Sequence, residues 1–316
     1  MVDAGPPAAA DRALLALLGR LDALGYDFAT PTPATHARVV GRAGKARAES
    51  LRDVFGWNLP FSRELIPPDL LALLERGGAL AAEGALCRSR LRASRIAGLL
   101  FLHGAYPTDR PDSVFLGPDT HRFVRFIGAE LARVGAPRRI VDLGAGAGAG
   151  GILLARARPD ASVILVDCNP AALRLARINA EAAGVAVETV EAASLDAVSG
   201  EIDLIVANPP FIIDPGGPSY RDGGSMNGAR LSFEWALAGA KRLSPGGRML
   251  LYTGSAILAG RDALREALER DLPALGCAMD YAEIDPDIFG EELDRPAYGS
   301  VERIAAVGAA ISRRGG

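Results

Sequence analysis

Lysine is nearly missing from this chain: Lys45 and Lys241 are the only two, so almost all of the 35 basic residues are arginine. Against 38 acidic residues the formal net charge is -3. No overall positive field therefore draws the chain to nucleic acid or to an anionic membrane. Cysteine is scarce and odd in number. Cys87, Cys168 and Cys277 lie far apart, which argues against a disulfide framework and for a reducing compartment. His36, His103 and His121 are just as dispersed, and no spacing among these residues suits a metal centre. Long apolar runs are also lacking. Arg20 and Asp22 interrupt the leucine-rich N-terminal stretch, and nothing approaches the roughly 20 residues needed to cross a bilayer. The expectation is a cytoplasmic protein with no metal and no membrane partner.

What remains is ordinary for a soluble enzyme: 49% hydrophobic and 23% charged residues over 316 positions, room for one large domain and a smaller one. Residues 8 to about 84 read as helices, with Leu14, Leu17, Leu18 and Leu21 at helical spacing. Between 85 and 117 the period shortens, predicting a small β segment in which Arg88, Arg90 and Arg92 share one strand face. A solvated face is the favoured reading of those arginines over a phosphate contact. From Arg138 onward apolar strands alternate with helices. The strands are Ile140–Leu143, Val163–Val166, Val185–Val190, Ile202–Ala207, Met249–Tyr252, Met279–Ile284 and Ile304–Val307. The fold class that follows is α/β, a Rossmann-like, seven-stranded, doubly wound sheet with ligands at the strand carboxyl ends. A mainly helical substrate-recognition domain is expected over 1–111 and the sheet domain over 112–316.

The most informative stretch is Ile140-Val141-Asp142-Leu143-Gly144-Ala145-Gly146-Ala147-Gly148, a strand running into alternate glycines before a helix. Glycine lets the backbone approach a ligand closely, and the helix N-terminus offers free N–H groups. The same residues fit a dinucleotide fingerprint loosely, as Gly144-x-Gly146-x-x-Ala149, so the motif alone leaves the cofactor open. Asp167 ends the next strand, at a distance where a carboxylate can hold ribose hydroxyls. That indicates a nucleoside cofactor without naming it.

Asn208-Pro209-Pro210-Phe211 discriminates. Two prolines remove two backbone donors, so the turn presents acceptors, the Asn208 side-chain oxygen and the Pro209 carbonyl. Held by both, a substrate –NH₂ would aim its lone pair at an electrophile as it leaves conjugation. Phe211 can stack on a planar amide or base. A dehydrogenase has no use for such a turn. The loop of residues 212–228, rich in Gly and Pro, reads as a mobile lid with Tyr220 and Arg221 as substrate contacts.

Together these motifs resemble the class I S-adenosylmethionine-dependent methyltransferases that act on planar nitrogen. Val114–Thr120, Ser244-Pro245-Gly246-Gly247 and the order of elements are similar to the release-factor glutamine methyltransferases and the related ribosomal RNA base methyltransferases. The resemblance covers roughly residues 112–256. It implies S-adenosylmethionine as cofactor, held by Asp142, Gly144, Ala145, Gly146, Gly148, Asp167, Cys168, Ala193, Ser194 and Asn208. It implies Asn208, Pro209 and Phe211 as the catalytic turn, and a protein or RNA acceptor, with a small-molecule amine as the alternative. Two departures stand out. Ala192-Ala193-Ser194 replaces an acidic residue common after the third strand, and Phe211 stands where glutamine-directed members usually carry tyrosine.

Overall fold

The computed structural model describes residues 8–214 and 221–315. Helix α1 (Ala9–Ala23) buries Leu14, Leu17, Leu18 and Leu21 along one stripe. Helices α2 (Pro33–Val40), α3 (Leu51–Phe55) and α4 (Pro68–Arg76) follow, the first two capped by the Thr32 and Ser50 side chains. Two hairpins come next: β1 (Leu80–Glu83) with β2 (Leu86–Ser89), and β3 (Leu91–Ile96) with β4 (Leu99–Gly104). The expected arginine face does not form. Arg88 pairs with Glu83, Arg92 is buried and donates to the Gly104 carbonyl, and Arg90 lies between the hairpins.

The larger part comprises α5 (Pro118–Glu130), β5 (Arg139–Leu143), α6 (Ala149–Ala157), β6 (Ser162–Asp167), α7 (Pro170–Ala182), β7 (Glu188–Glu191), β8 (Ile202–Ala207) and α8 (Arg230–Arg242). Then follow β9 (Leu243–Leu258), the two-residue β10 (Arg261–Asp262), α9 (Ala263–Asp271), β11 (Cys277–Asp285) and β12 (Arg303–Arg313). The main sheet runs β11-β12-β9-β8-β5-β6-β7, with β10 paired to β9. Strands β5 to β9 are mutually parallel, and β12 is antiparallel to both of its neighbours. The chain winds outward from β5 through β6 to β7, then returns to the other side of β5 with β8. Strand order therefore reverses between β5 and β8, where open α/β sheets carry their ligands.

Two strands differ from their sequence patterns for local reasons. Val185 belongs to the end of α7. Gly184 is left-handed, and the Gly184 and Val185 N–H groups donate back to Glu181 and Ala180, a Schellman ending that uses Val185 as its apolar contact. Strand β9 is far longer than Met249–Tyr252 because it begins at Leu243, and the Ser244–Gly247 turn sits inside it as a shift of register against β8.

One apolar core joins the N-terminal helices to the sheet's outer layer. Leu14, Leu17, Phe55 and Leu102 cluster with Ala147, Ile152, Leu175 and Ile178 of the glycine loop, α6 and α7. Among the described residues no helix is long and apolar enough to cross a membrane.

Candidate active site

The reversal between β5 and β8 opens into a cavity of about 290 Å³. Its floor is the glycine loop after β5. Gly144, Gly146 and Gly148 are all left-handed, a conformation that favours glycine. Four of the loop's N–H groups are already engaged. Gly144 and Ala145 donate to the Val166 carbonyl at 2.8 and 3.0 Å, Gly148 to the Ala145 carbonyl at 2.8 Å, and Gly146 to Asp167 Oδ2 at 2.8 Å. What it offers is room: a Cβ on Gly146 would meet nothing within 4 Å. Gly144, Ala145 and Gly146 line the cavity; Gly148 does not. Gly148 makes the turn into α6, where a Cβ would press Ile152 at 2.8 Å and Ala176 at 3.1 Å.

Asp142 is also placed away from the cavity. It is buried beneath the loop and accepts the Gly151 N–H at 2.7 Å, satisfying a donor in the first turn of α6. Burial pushes its carboxyl up to about 7, against the Gly151 hydrogen bond, which favours the charged form.

Asp167, at the end of β6, does face the cavity, beside Cys168 and Ala193. Its Oδ1 accepts the Asn169 N–H and its Oδ2 the Gly146 N–H, both at 2.8 Å. Each oxygen keeps a lone pair for a ligand hydroxyl. Burial raises its carboxyl, opposed by these two bonds. Ser194 is turned elsewhere: half-buried and outside the lining, its Oγ accepts the Asp196 N–H to start a 3₁₀ turn.

The Asn208–Phe211 turn forms the facing wall, immediately after β8. Asn208 Oδ1 is buried and has no hydrogen-bond partner. A buried acceptor left unmet costs about 1–3 kcal/mol, so a group that meets it on binding recovers that cost. Phe211 is less free to stack than its exposed place in the motif suggests. Its ring lies against Gly254, where a Cβ would come within 2.3 Å, and edge-on to Phe289 at 5.7 Å.

Arg221 lines the cavity, but its guanidinium is committed. It pairs with Asp214 at 2.7 Å and with Glu292, and Arg295 bridges the same two carboxylates. Tyr220 and the rest of 215–220 lie outside the described residues. The flanks of the expected lid are held rather than loose. Ile212 and Gly223 exchange backbone bonds with Arg221 and Ile212, and Gly228 packs on the Phe211 carbonyl.

Sequence reasoning missed Trp235, Phe289 and the chemistry of Asp119. Trp235 reaches in from α8, its ring over Gly144. Asp119 lies in the first turn of α5, buried, with Oδ1 accepting the Tyr252 hydroxyl at 2.8 Å; burial raises its carboxyl. The cavity thus presents two carboxylates, Asp167 and Asp119, the latter paired with Arg122 at 3.5 Å. Arg221 is the one cation among the described lining residues, and it is already neutralised. A pyrophosphate would find no unpaired cation among the described lining residues. A cationic ligand with hydroxyls, such as a sulfonium nucleoside, fits this field.

A family model described as the Methyltransferase small domain matches residues 124–270. The release factor glutamine methyltransferase of Deinococcus radiodurans is 33% identical over 180 residues, covering 55% of this chain and 63% of that protein. That is less than two thirds of its length. The release factor glutamine methyltransferase of Neisseria gonorrhoeae is 30% identical over 224 residues, 68% of this chain and 79% of that protein. The 4-amino-L-phenylalanine/4-methylamino-L-phenylalanine methyltransferase of Streptomyces pristinaespiralis is 32% identical over 203 residues, 58% of this chain and 68% of that protein.

Proposed function

The chain belongs to the class I S-adenosylmethionine-dependent N-methyltransferases that include the release-factor glutamine methyltransferases, and we propose that it methylates a planar nitrogen, an amide or exocyclic amine, of a protein or RNA acceptor. The observation that carries this reading is the buried, unpartnered Asn208 Oδ1 on the cavity wall.

In this reading Asp167 accepts the ribose hydroxyls of the cofactor, and Gly144, Ala145 and Gly146 give it room. Asp167 supplies negative charge on this side of the cavity. S-adenosylmethionine, when bound, supplies an electrophilic methyl group; the N–C bond forms as the S–C bond breaks, the bonding pair leaves with sulfur and the amine proton passes to solvent. Asn208 Oδ1 and the Pro209 carbonyl hold the two amine hydrogens, which turns the nitrogen lone pair out of conjugation toward that methyl. Both acceptors strengthen their hold as the nitrogen becomes positive, so the turn stabilises the transition state more than the ground state. No general base is needed before transfer. The segment α1–β4 would select the acceptor.

A second reading, a small-molecule aromatic amine as acceptor, is favoured by the Streptomyces pristinaespiralis relative, which the chain covers over 68% of its length. Labelled methyl transfer from S-adenosylmethionine into fractionated protein, RNA and metabolites tests both. Label in protein or RNA supports the first, label in metabolites the second, and no label in any fraction refutes methyl transfer.

A further inference from the structure

The crossover between β11 and β12, residues 286–302, folds over the strand ends beside the Asn208–Phe211 turn. Phe289 projects from it into the cavity. Its backbone is left-handed, at φ +53, which a bulky side chain adopts only where its surroundings impose it. Those surroundings are specific. The Ile288 N–H donates to the Ile304 carbonyl and the Glu292 N–H to the Phe289 carbonyl, both at 2.8 Å, fixing the two flanks. Glu292, 5% exposed, binds Arg221 and Arg295, and both arginines return to Asp214. Two carboxylates and two guanidiniums thus alternate in a closed ring. Tyr298 Oη accepts the Ile213 N–H at 2.7 Å. The segment leaving the catalytic turn is fastened to the crossover at residues 213, 214 and 221.

We propose that Phe289, held by this ring, sets acceptor specificity, and that the acceptor is a primary amine on an aromatic ring rather than a carboxamide. The inference rests on the methyl-transfer reading of Asn208. Phe211 and Phe289, at 62° to one another, make the wall beside that turn apolar, and a flat ring gains from contact with such a wall. A carboxamide brings a carbonyl that must lose its water and find a donor. Arg221, the lining cation among the described residues, is already paired with two carboxylates. An aromatic amine presents only donors on its nitrogen, which the unpartnered Asn208 Oδ1 can take.

The test uses the full chain and three probes: 4-amino-L-phenylalanine, a short RNA oligonucleotide containing all four bases, and a glutamine-containing peptide. Affinity for S-adenosylmethionine is measured separately by calorimetry. The expected result is labelled transfer to one of the two aromatic probes, which identifies the source of the amine, and none to the peptide. Phe289→Ala should lower kcat/KM on that probe about tenfold or more, mostly through KM, with cofactor affinity within about twofold of the unmodified chain. Phe289→Leu, which keeps apolar bulk, should fall between the two and covers the case in which the alanine variant is poorly folded. Preferential methylation of the peptide overturns the proposal. So do cofactor binding without transfer to either aromatic probe, and folded Phe289 variants with unchanged KM. Failure to bind S-adenosylmethionine at all would instead defeat the methyl-transfer reading beneath it.

Discussion

Asn208 and Asp167 face the same cavity, yet the chemistry assigns them separable tasks. In the proposed mechanism Asn208→Ala removes the acceptor for the amine nitrogen while Asp167 and the glycine loop still hold the cofactor. Cofactor affinity should therefore stay near its starting value while single-turnover methyl transfer falls about a hundred- to a thousandfold, the usual loss for one preorganised contact to developing charge. Near-native turnover by that variant would remove the nitrogen-methylation mechanism. Asp167→Ala should do the reverse, weakening cofactor affinity about ten- to a hundredfold, as expected for a lost charged hydrogen bond. Calorimetry on the folded variant decides it, and unchanged affinity would reduce Asp167 to the partner of Gly146 and Asn169 that it visibly is. Both residues were legible in sequence because each ends an apolar run, where a doubly wound sheet must present them to its ligand. That Asp142 and Ser194 turn away from the cavity has no signal in sequence, because proximity to a motif does not say which way a side chain turns. Trp235, Phe289 and the role of Asp119 had no local signal; α8, the β11–β12 crossover and α5 meet only in the folded sheet.

The glycine loop and the first turn of α6 act as one element, and their glycines do different jobs. Gly146 faces open space, so Gly146→Val would fill the cavity and strain a left-handed residue. It should abolish measurable cofactor binding, with circular dichroism close to that of the unmodified chain. A variant that unfolds would make the loop chiefly structural. Asp142 beneath the loop gives the element a pH dependence. Burial lifts its carboxyl to about 7, whereas in the unfolded chain it ionises near about 3.9. Between those values the folded state holds a proton that the unfolded state has released. Stability from this group is therefore present below about pH 4 and lost as pH rises toward 7. Asp142→Asn keeps an acceptor for the Gly151 N–H and removes the titration. Its stability relative to the unmodified chain should climb between about pH 5 and pH 8, by urea unfolding. Parallel curves would show that Asp142 does not titrate in that window. The strand–loop–helix order of this element was plain in sequence. The direction of its N–H groups was not, since turn geometry and not residue type sends them to Val166, Asp167 and Ala145.

Across the whole molecule, one buried amide ties the hairpin of the part that would select an acceptor to the loop of the part that would hold a cofactor. Asn179, on α7 and 1% exposed, accepts the Leu102 N–H at 2.8 Å and donates to the Leu102 carbonyl at 3.1 Å and the Ala147 carbonyl at 2.9 Å. Leu102 lies on β4, whose outer edge would otherwise bury unpaired backbone groups. Ala147 lies in the glycine loop. The N-terminal hairpin is thus tied through one side chain to the loop that lines the cavity, within a core common to both. Salt bridging between Arg174 and Asp11 lies nearby and is more exposed, so it contributes less. Asn179→Ala should leave three buried backbone groups without partners and lower stability by on the order of 2 kcal/mol or more. Because Ala147 sits beside Gly146, the variant should also weaken S-adenosylmethionine binding several-fold, although Asn179 does not line the cavity. Thermal unfolding and calorimetry, read on the same preparation below its melting temperature, separate the two effects. A lowered melting temperature with native affinity would confine Asn179 to fastening the hairpin. A loss of both would mean that whatever docks on the N-terminal segment can be felt at the cofactor loop through this amide.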